Sequence, residues 1–439
     1  MKHRVGILAD DITGGNDIGV MMAKKGYRAG VFSLKRQPCF STALWTELDC
    51  VVLDLDCRLD TPQRASEKTC QAMKLLSPLG CDVLCGKTCS VFRGNVGAHL
   101  ETMRMQLGGC GMVVVGFPKN GRTTLHGEHY VNGVPLRQTM FANDPIHPMQ
   151  ENSLLKILAK QSGRRVNSYP LEWLDLEAQE RKTHLARLRL ESDFIIFDVR
   201  DQRDLRILAQ MLSDEPFICG SSALWEELPD AWGDASPQVT ASCDWQDDTG
   251  VLLAAGSLTL PTKNQVAYLL KNGVQGFCLP TWELFDDARR EQIMEELTAS
   301  LSVCISRGQD ALLYTAQEAA QVALTKEQGY QQGMDDSAVG RCVSATLSAV
   351  CRGVLEATHA RKLVVAGGDT SAAVSERIGV DEMRILDEIE PGVPVMLGRG
   401  RRLQELLLVY KSGSFGSQVF LQKSAELLRR LARTKQARG

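Results

Sequence analysis

The chain has 439 residues, of which 44% are hydrophobic and 23% charged, with a net charge of −3. That length exceeds one ordinary domain, and the composition is that of a globular protein rather than a fibrous or disordered one. A slightly acidic chain has no electrostatic basis for general nucleic-acid binding, so any anionic ligand must be held by local positive charge.

Met1-Lys2-His3-Arg4 leads straight into a strand pattern at Val5, without the apolar core of a secretory leader. No apolar run approaches the roughly 20 residues of a membrane span. The expectation is a cytoplasmic protein without membrane partners, whose 14 cysteines are mostly small core residues in a reducing compartment. Cys81, Cys85 and Cys89 are spaced four apart, but Val83-Leu84-Cys85 reads as strand. No histidine or fourth cysteine completes a zinc set there, so no metal cluster is expected.

In chain order, short apolar runs alternate with amphipathic segments. The runs are Val5–Ala9, Val51–Leu55, Met112–Phe117 and Phe194–Val199, then Val251–Ala255, Ala311–Tyr314, Leu363–Ala366 and Leu406–Tyr410. Runs this short and apolar suit strands covered on both faces, as in parallel sheets. One helix is expected from Trp282 to about Leu301. Another carries Val339, Val343, Val350 and Val354 on one stripe, with Cys342 and Leu347 beside it. The class is α/β, as two domains with mainly parallel sheets. The Pro-, Gly- and Asp-bearing stretch from Pro229 to Gly250 is the expected boundary. It divides the chain into residues 1–235 and 250–439. The basic tail after Arg429 (Arg430, Arg433, Lys435, Arg438) reads as a solvated helix end.

In the first half, Leu8-Ala9-Asp10-Asp11-Ile12-Thr13-Gly14-Gly15 ends a strand on two carboxylates, with a helix pattern opening at Ile18. Ligands of open α/β sheets bind beyond the carboxyl ends of strands. Paired acids there could hold polyol hydroxyls, and one could accept a proton; a plain helix cap explains them equally well. Lys87, Thr88, Cys89, Ser90 and Arg93 follow a strand and combine cations with hydroxyls, which suits a carboxylate or phosphate. Gly80 to Lys87 imitates a Walker A loop, but it has five intervening residues instead of four and reads as strand. Arg58, after Asp56-Cys57, is either a third carboxylate holder or a surface arginine. Residues 118 to 148 are poor in periodicity, and a loop this long in a compact domain is usually functional.

In the second half, three strands end on small-residue turns. These are Gly256-Ser257-Leu258-Thr259, with a helix entered through Pro261; Gly367-Gly368-Asp369-Thr370-Ser371; and Ser412-Gly413-Ser414. Glycines admit a phosphate to the backbone, and Thr370 could cap a helix whose free N–H groups attract an anion. Asp369 suits magnesium or a ribose hydroxyl. No turn matches a Walker A or dinucleotide fingerprint, so turn spacing alone leaves nucleotide binding and generic tight turns both open.

Seven blocks, in order, resemble the four-carbon acid sugar kinase family over nearly the whole chain. They are Ala9 through Gly14, Lys87 through Gly97, Gly121 through Pro145, Gly256-Ser257, Gly367 through Ser371, Pro391-Gly392-Val393-Pro394 and Lys411-Ser412-Gly413. Phe194–Leu208, with Asp198, is also similar. The resemblance implies an N-terminal sugar-acid domain, a C-terminal ATP domain and an active site in the cleft between them. The activity implied is ATP-dependent phosphorylation of the terminal hydroxyl of an acid such as threonate, erythronate or 3-oxo-tetronate. By position, Asp10, Arg58 and Lys87 through Arg93 would hold the small anionic substrate, with Asp10 or Asp11 as base. Ser257, Gly367, Gly368, Asp369, Thr370 and Gly413 would contact ATP. Mg2+ follows from phosphoryl transfer itself, with its protein ligands unassigned. A homodimer is the default assembly. Cys89-Ser90-Val91 stands where the family usually has Asp-Ser-Thr, Cys57 where serine is common and Ser414 where asparagine is frequent. That substrate-side change keeps a second reading open, a sugar-acid-binding protein that has lost catalysis. A nicotinamide oxidoreductase is disfavoured, since the dinucleotide fingerprint is missing.

Overall fold

The structure is a computed structural model that describes residues 2–144, 147–237, 243, 245–400 and 403–433. Pro145, Lys435 and Arg438, which figured in the sequence reading, lie outside the described residues. The chain forms two compact units, Met1–Val239 and Thr240–Gly439.

Among the described residues the main sheet of unit 1 has eight strands: β1 (Val5–Ala9), β2 (Ala29–Ser33), β3 (Cys50–Asp54), β4 (Val83–Lys87), β5 (Gly111–Val114), β6 (Val166–Tyr169), β7 (Phe194–Phe197) and β8 (Phe217–Gly220). They pair in the order β2-β3-β1-β4-β8-β5-β7-β6, every pair parallel. Buried parallel strands need apolar side chains on both faces. Val5, Ile7, Val51, Val52, Ile195 and Ile196 accordingly have no exposure. At about 1.5–3 kcal/mol for each fully buried large aliphatic side chain, this double layer supplies the main force holding the unit. The chain visits one side of β1 and then the other, so the sheet reverses direction at β1, and such a switch point is where open α/β sheets bind ligands. In register, Ala9 lies beside Asp54 on β3 and Lys87 on β4.

Two local expectations change here. The helix after β1 is α1 (Ile12–Lys24), which starts six residues before Ile18 because Asp11 caps it and accepts from Gly14 N. The stretch from 118 to 148 is not devoid of periodicity. It contains a small antiparallel sheet of Arg122–Leu125, Glu128–Val131 and Val134–Pro135. Its inward positions include the polar Thr124 and His129, both fully buried. Strand β5 is also shorter than the apolar run suggested.

Among the described residues unit 2 has seven strands: β9 (Leu252–Ala255), β10 (Gln275–Leu279), β11 (Ala311–Thr315), β12 (Lys362–Ala366), β13 (Glu382–Glu390), β14 (Val393–Gly400) and β15 (Leu403–Lys411). Their order is β10-β11-β9-β12-β15-β14-β13, parallel except where β14 meets its two neighbours. Here β9 is the reversal point. Helix α2 (Leu260–Lys271) follows β9, α3 is Asp336–Thr358, α4 (Gly368–Ile378) follows β12, and α5 is Phe420–Arg433. The helix expected from Trp282 begins at Asp287, after a 3-10 turn at Thr281–Glu283. Against the expectation for apolar runs, the 23-residue α3 is long and apolar enough, by length and composition alone, to cross a membrane. Its stripe of Val339, Leu347, Val350, Cys351 and Val354 is buried, while Arg341, Arg352 and Glu356 are exposed, the pattern of a core-packed amphipathic helix.

Candidate functional site

In unit 1 the candidate residues gather at the carboxyl ends of β1, β3 and β4. Arg58 is the hub. Its Nε donates to Asp10 Oδ2 at 2.9 Å, its Nη2 to Asp10 Oδ1 at 2.8 Å, and its Nη1 to Asp11 Oδ2. A two-pronged guanidinium–carboxylate pair fixes both partners in orientation as well as charge. Asp11 Oδ1 also takes Gly14 N at 2.7 Å, and Oδ2 takes the Thr13 hydroxyl. Burial alone would raise the Asp11 carboxyl; Arg58 and then Lys87 outweigh it and hold the group below the usual carboxylate range. Lys87 is buried, and its Nζ donates to Thr88 O at 2.9 Å. A Cβ on Gly14 would lie 3.0 Å from that Nζ, so the lysine presses on the first turn of α1. Asp54, one strand over, is pushed up by burial, then by Asp56 and Asp11.

Thr88 N donates to Gly220 O at 2.8 Å, tying the start of the 88–93 loop to β8, while Thr88 Oγ1 is buried with no protein partner. Arg93 pairs with Asp144, across 51 residues of sequence. His129 Nε2 meets Ser90 O at 2.9 Å, and its Nδ1 meets Thr124 Oγ1 at 3.1 Å. The small sheet therefore braces the loop from beneath. Arg122 stands on that sheet with a buried, unpartnered Nε. Cys89 is within electrostatic reach of three guanidiniums, those of Arg58, Arg93 and Arg122. Arg122 and Asp144 had no role in the sequence reading; only their positions inside the long Gly121–Pro145 block hinted at one. Asp198 accepts from the backbone N–H groups of His126, Gly127 and Leu171, and so anchors the small sheet rather than facing a ligand.

Unit 2 brings together the three turns that sequence spacing kept apart. Strands β9, β12 and β15 are neighbours, so their carboxyl ends lie in a row. Gly256 N donates to Ala366 O at 3.1 Å, and Gly367 N to Lys411 O at 2.9 Å. A Cβ on Gly256 would sit 2.2 Å from Thr370 Oγ1, and one on Gly413 would sit 2.1 Å from Ser257 Oγ. Glycine is thus required where the turns touch. Gly367 has φ +128°, and it, not Thr370, is the N-cap of α4. Thr370 is in the first helical turn, buried against Gly256. A Cβ on Gly368 would meet nothing within 4 Å, so the amide end of α4 opens onto free space. An 11-residue helix ending in this way offers unpaired N–H groups and the positive end of its dipole to an anion. Among the described residues no three His, Cys, Asp or Glu side chains form a metal cluster.

Residues 5–228 match the family description "sugar-binding N-terminal domain", and residues 252–421 match "nucleotide-binding C-terminal domain". A 3-oxo-tetronate kinase of Pseudomonas savastanoi pv. phaseolicola is 30% identical, the alignment covering 97% of each chain. The chain belongs to the four-carbon acid sugar kinase family. A 3-oxo-tetronate kinase of Cupriavidus necator is 30% identical over 98% of each chain. A D-threonate kinase of Salmonella typhimurium is 28% identical over 94% of this chain and 95% of its own. Among solved structures, a Salmonella typhimurium protein described as a candidate tRNA synthase matches with a TM-score of 0.82. It is 24% identical and covers 97% of this chain and 99% of its own. A Haemophilus influenzae protein matches at TM-score 0.73 and 23% identity, covering 96% of this chain and all of that one. At these identities the two structures bear on the fold of the family alone.

Proposed function

We propose that this chain is an ATP-dependent kinase that phosphorylates the terminal hydroxyl of a small sugar acid, with threonate, erythronate and 3-oxo-tetronate as the first candidates. The observation that carries it is the three-turn cradle of unit 2, whose glycines let the turns pack against one another while the amide end of α4 stays open at Gly368 to an anion. The kinase names of the relatives in this family point the same way.

Unit 1 is the sugar-acid domain in this reading. Asp10 and Asp11 differ in what they have left to offer. Asp11 already serves Gly14 N, Thr13 and Arg58, whereas each Asp10 oxygen takes a single Arg58 donor. Asp10 therefore keeps lone pairs for a substrate hydroxyl and accepts its proton as the bond to phosphorus forms. Asp11 and Arg58 hold it in place. Because Arg58 gives three of its five N–H donors, and its charge, to these acids, the substrate carboxylate falls chiefly to Arg93, Arg122 and the Thr88 hydroxyl, with Ser90 and Cys89 lining the loop. Lys87 supplies positive charge behind the first turn of α1.

Unit 2 is the ATP domain. Ser257, Gly367, Gly368, Thr370 and Gly413 border the space for the phosphates. Mg2+ would supply charge neutralisation at the β- and γ-phosphates, and Asp369 is the residue of these turns with the hard oxygen donor it needs. A cytoplasmic location is proposed from the 14 cysteines, all free thiols here.

The test is ADP release with Mg-ATP against a panel of four- to six-carbon sugar acids. Strong turnover with one acid supports the reading. Cys89 among three guanidiniums is the observation that favours the non-catalytic alternative. Acid binding without ADP release from any acid would establish that alternative instead.

A further inference from the structure

The loop after β15, residues 412–417, has its carbonyl oxygens gathered by side chains from beneath. Gly413 O accepts from Thr259 Oγ1 at 2.6 Å and Thr262 Oγ1 at 2.9 Å. Lys411 Nζ donates to Ser412 O at 3.1 Å, Gly413 O at 3.3 Å and Thr262 Oγ1 at 3.0 Å. Gln265 Nε2 reaches three more carbonyls, those of Phe415, Gly416 and Ser417, at 3.1, 3.0 and 3.0 Å. Gln265 and Lys411 are both buried, so none of this is incidental surface contact. Across a trans peptide the C=O of one residue and the N–H of the next point in opposite directions. Five carbonyls drawn inward therefore turn the N–H groups of Gly413, Ser414, Gly416, Ser417 and Gln418 outward, away from the shell. Outward-pointing successive amides form a concavity for an anion. The molecule already shows this face taking one. Ser417 N and Oγ both donate to the Glu390 carboxylate, which Lys423 also contacts at 3.0 Å.

We infer that residues 412–417 form a phosphate nest for the nucleotide, and that Gln265 and Lys411 are its positioning residues, acting through the loop carbonyls without touching the ligand. This rests on the nucleotide reading given above and adds the residues that shape the cradle from below. Gln265 lies in the middle of α2, where sequence pattern alone offers no reason to notice it. Its amide is uncharged and can donate to several carbonyls at once, which neither leucine nor an ionised glutamate can do.

The experiment measures Mg-ADP binding by calorimetry and KM for ATP and for the sugar acid, in wild type, Gln265→Leu, Gln265→Glu and Lys411→Met. Circular dichroism and urea unfolding identify the variants that keep the wild-type fold. The expected result is KM for ATP raised about tenfold or more, with KM for the acid within about twofold and kcat less affected, as for loss of uniform binding. Gln265→Glu carries the decisive readout. An ionised glutamate repels the three carbonyls, but burial raises its pKa and protonation restores a donor. Lys411 in the same shell is pushed down by burial to about 7 and titrates over this range in every variant that keeps it, so the readout is the difference: the ATP deficit of Gln265→Glu should shrink relative to that of Gln265→Leu as pH falls from about 8 to about 6. Folded variants that bind Mg-ADP as wild type does would overturn the inference and leave the nucleotide reading standing. So would a Gln265→Glu deficit that changes with pH no more than that of Gln265→Leu. A wild-type chain that binds neither Mg-ADP nor Mg-ATP would overturn both.

Discussion

Replacing Arg58 with methionine tests the electrostatics of unit 1 directly. The side chains of Arg58, Asp10 and Asp11 are 12%, 8% and 19% exposed, so the charges meet largely out of water. The change removes three charge-assisted hydrogen bonds and leaves two carboxylates facing each other. Breaking a buried pair by deleting one partner costs about 3–5 kcal/mol. Lys87 remains behind α1 and partly compensates, which puts the expectation near 3 kcal/mol, at the lower end of that range. The pH dependence has a definite sign. In wild type the Asp11 pKa is depressed, so its contribution is present above the unfolded carboxylate value near 3.9 and is lost as pH falls through the folded value. In Arg58→Met, burial and mutual repulsion push the folded carboxyls up instead, and protonation then relieves the variant. The gap between the two proteins should be largest near pH 7 and narrow toward pH 4. Urea unfolding of the full chain, followed by tryptophan fluorescence with the fully buried Trp225 as a reporter in unit 1, measures it. Asp10→Asn combined with Arg58→Met should recover at least about 1 kcal/mol of the loss. A gap below about 1 kcal/mol at pH 7, or one that is the same at pH 4, would refute the reasoning.

The two aspartates should separate in turnover assays. Asp10→Asn should lower kcat by about 10²-fold or more and also cost about 1–3 kcal/mol of stability, because it neutralises the two-pronged partner of the buried Arg58; Asp11→Asn should cost stability too, including about 1 kcal/mol through the weakened cap of α1, but should spare more of kcat. Near-normal turnover in both would remove the general base from the mechanism. Gly413→Ala forces a Cβ to within 2.1 Å of Ser257 Oγ, so KM for ATP should rise while sugar-acid binding, read by calorimetry, is unchanged. His129 is held neutral by burial, its pKa pushed down to about 4. The unfolded chain protonates this residue near pH 6.5 and the folded one does not, so wild type should lose stability between those two values, with a ceiling of about 3 kcal/mol. His129→Gln should flatten that slope in pH-dependent urea titrations.

The strands were legible because a doubly covered parallel strand has to be apolar, and Val5–Ala9 or Leu363–Ala366 leave little else to read. The small sheet of unit 1 was hidden for the opposite reason: Thr124 and His129 face inward and satisfy each other and Ser90, so its alternation carries no hydrophobic signal. The clustering of Asp10, Arg58 and Lys87 could be guessed from three strand ends, but not that Arg58 spends its donors on the aspartates. That follows from β1 and β3 being neighbours, which spacing does not reveal. Arg93 and Asp144 meet for similar reasons. Thr370 looks like a possible hydroxyl cap because such caps are common; the glycine at 367 adopts a backbone open to few other residues and starts the helix three residues sooner. Gln265 was invisible because a single glutamine in an amphipathic helix looks like any solvent-facing side chain.

The adjacency of β9, β12 and β15 bears on how the protein is made. The ribosome delivers Gly256, Gly367 and Gly413 far apart in time, and the last of the three strands, Leu403–Lys411, follows the other two by many residues. All eight strands of the parallel sheet of unit 1 are complete before residue 239. A nascent chain stalled or clipped ahead of Leu403 therefore possesses the whole acid-and-guanidinium cluster yet lacks one wall of the nucleotide cradle. On the proposed reading, acid binding and nucleotide use are therefore completed at different times as the chain is made, the first well before the second.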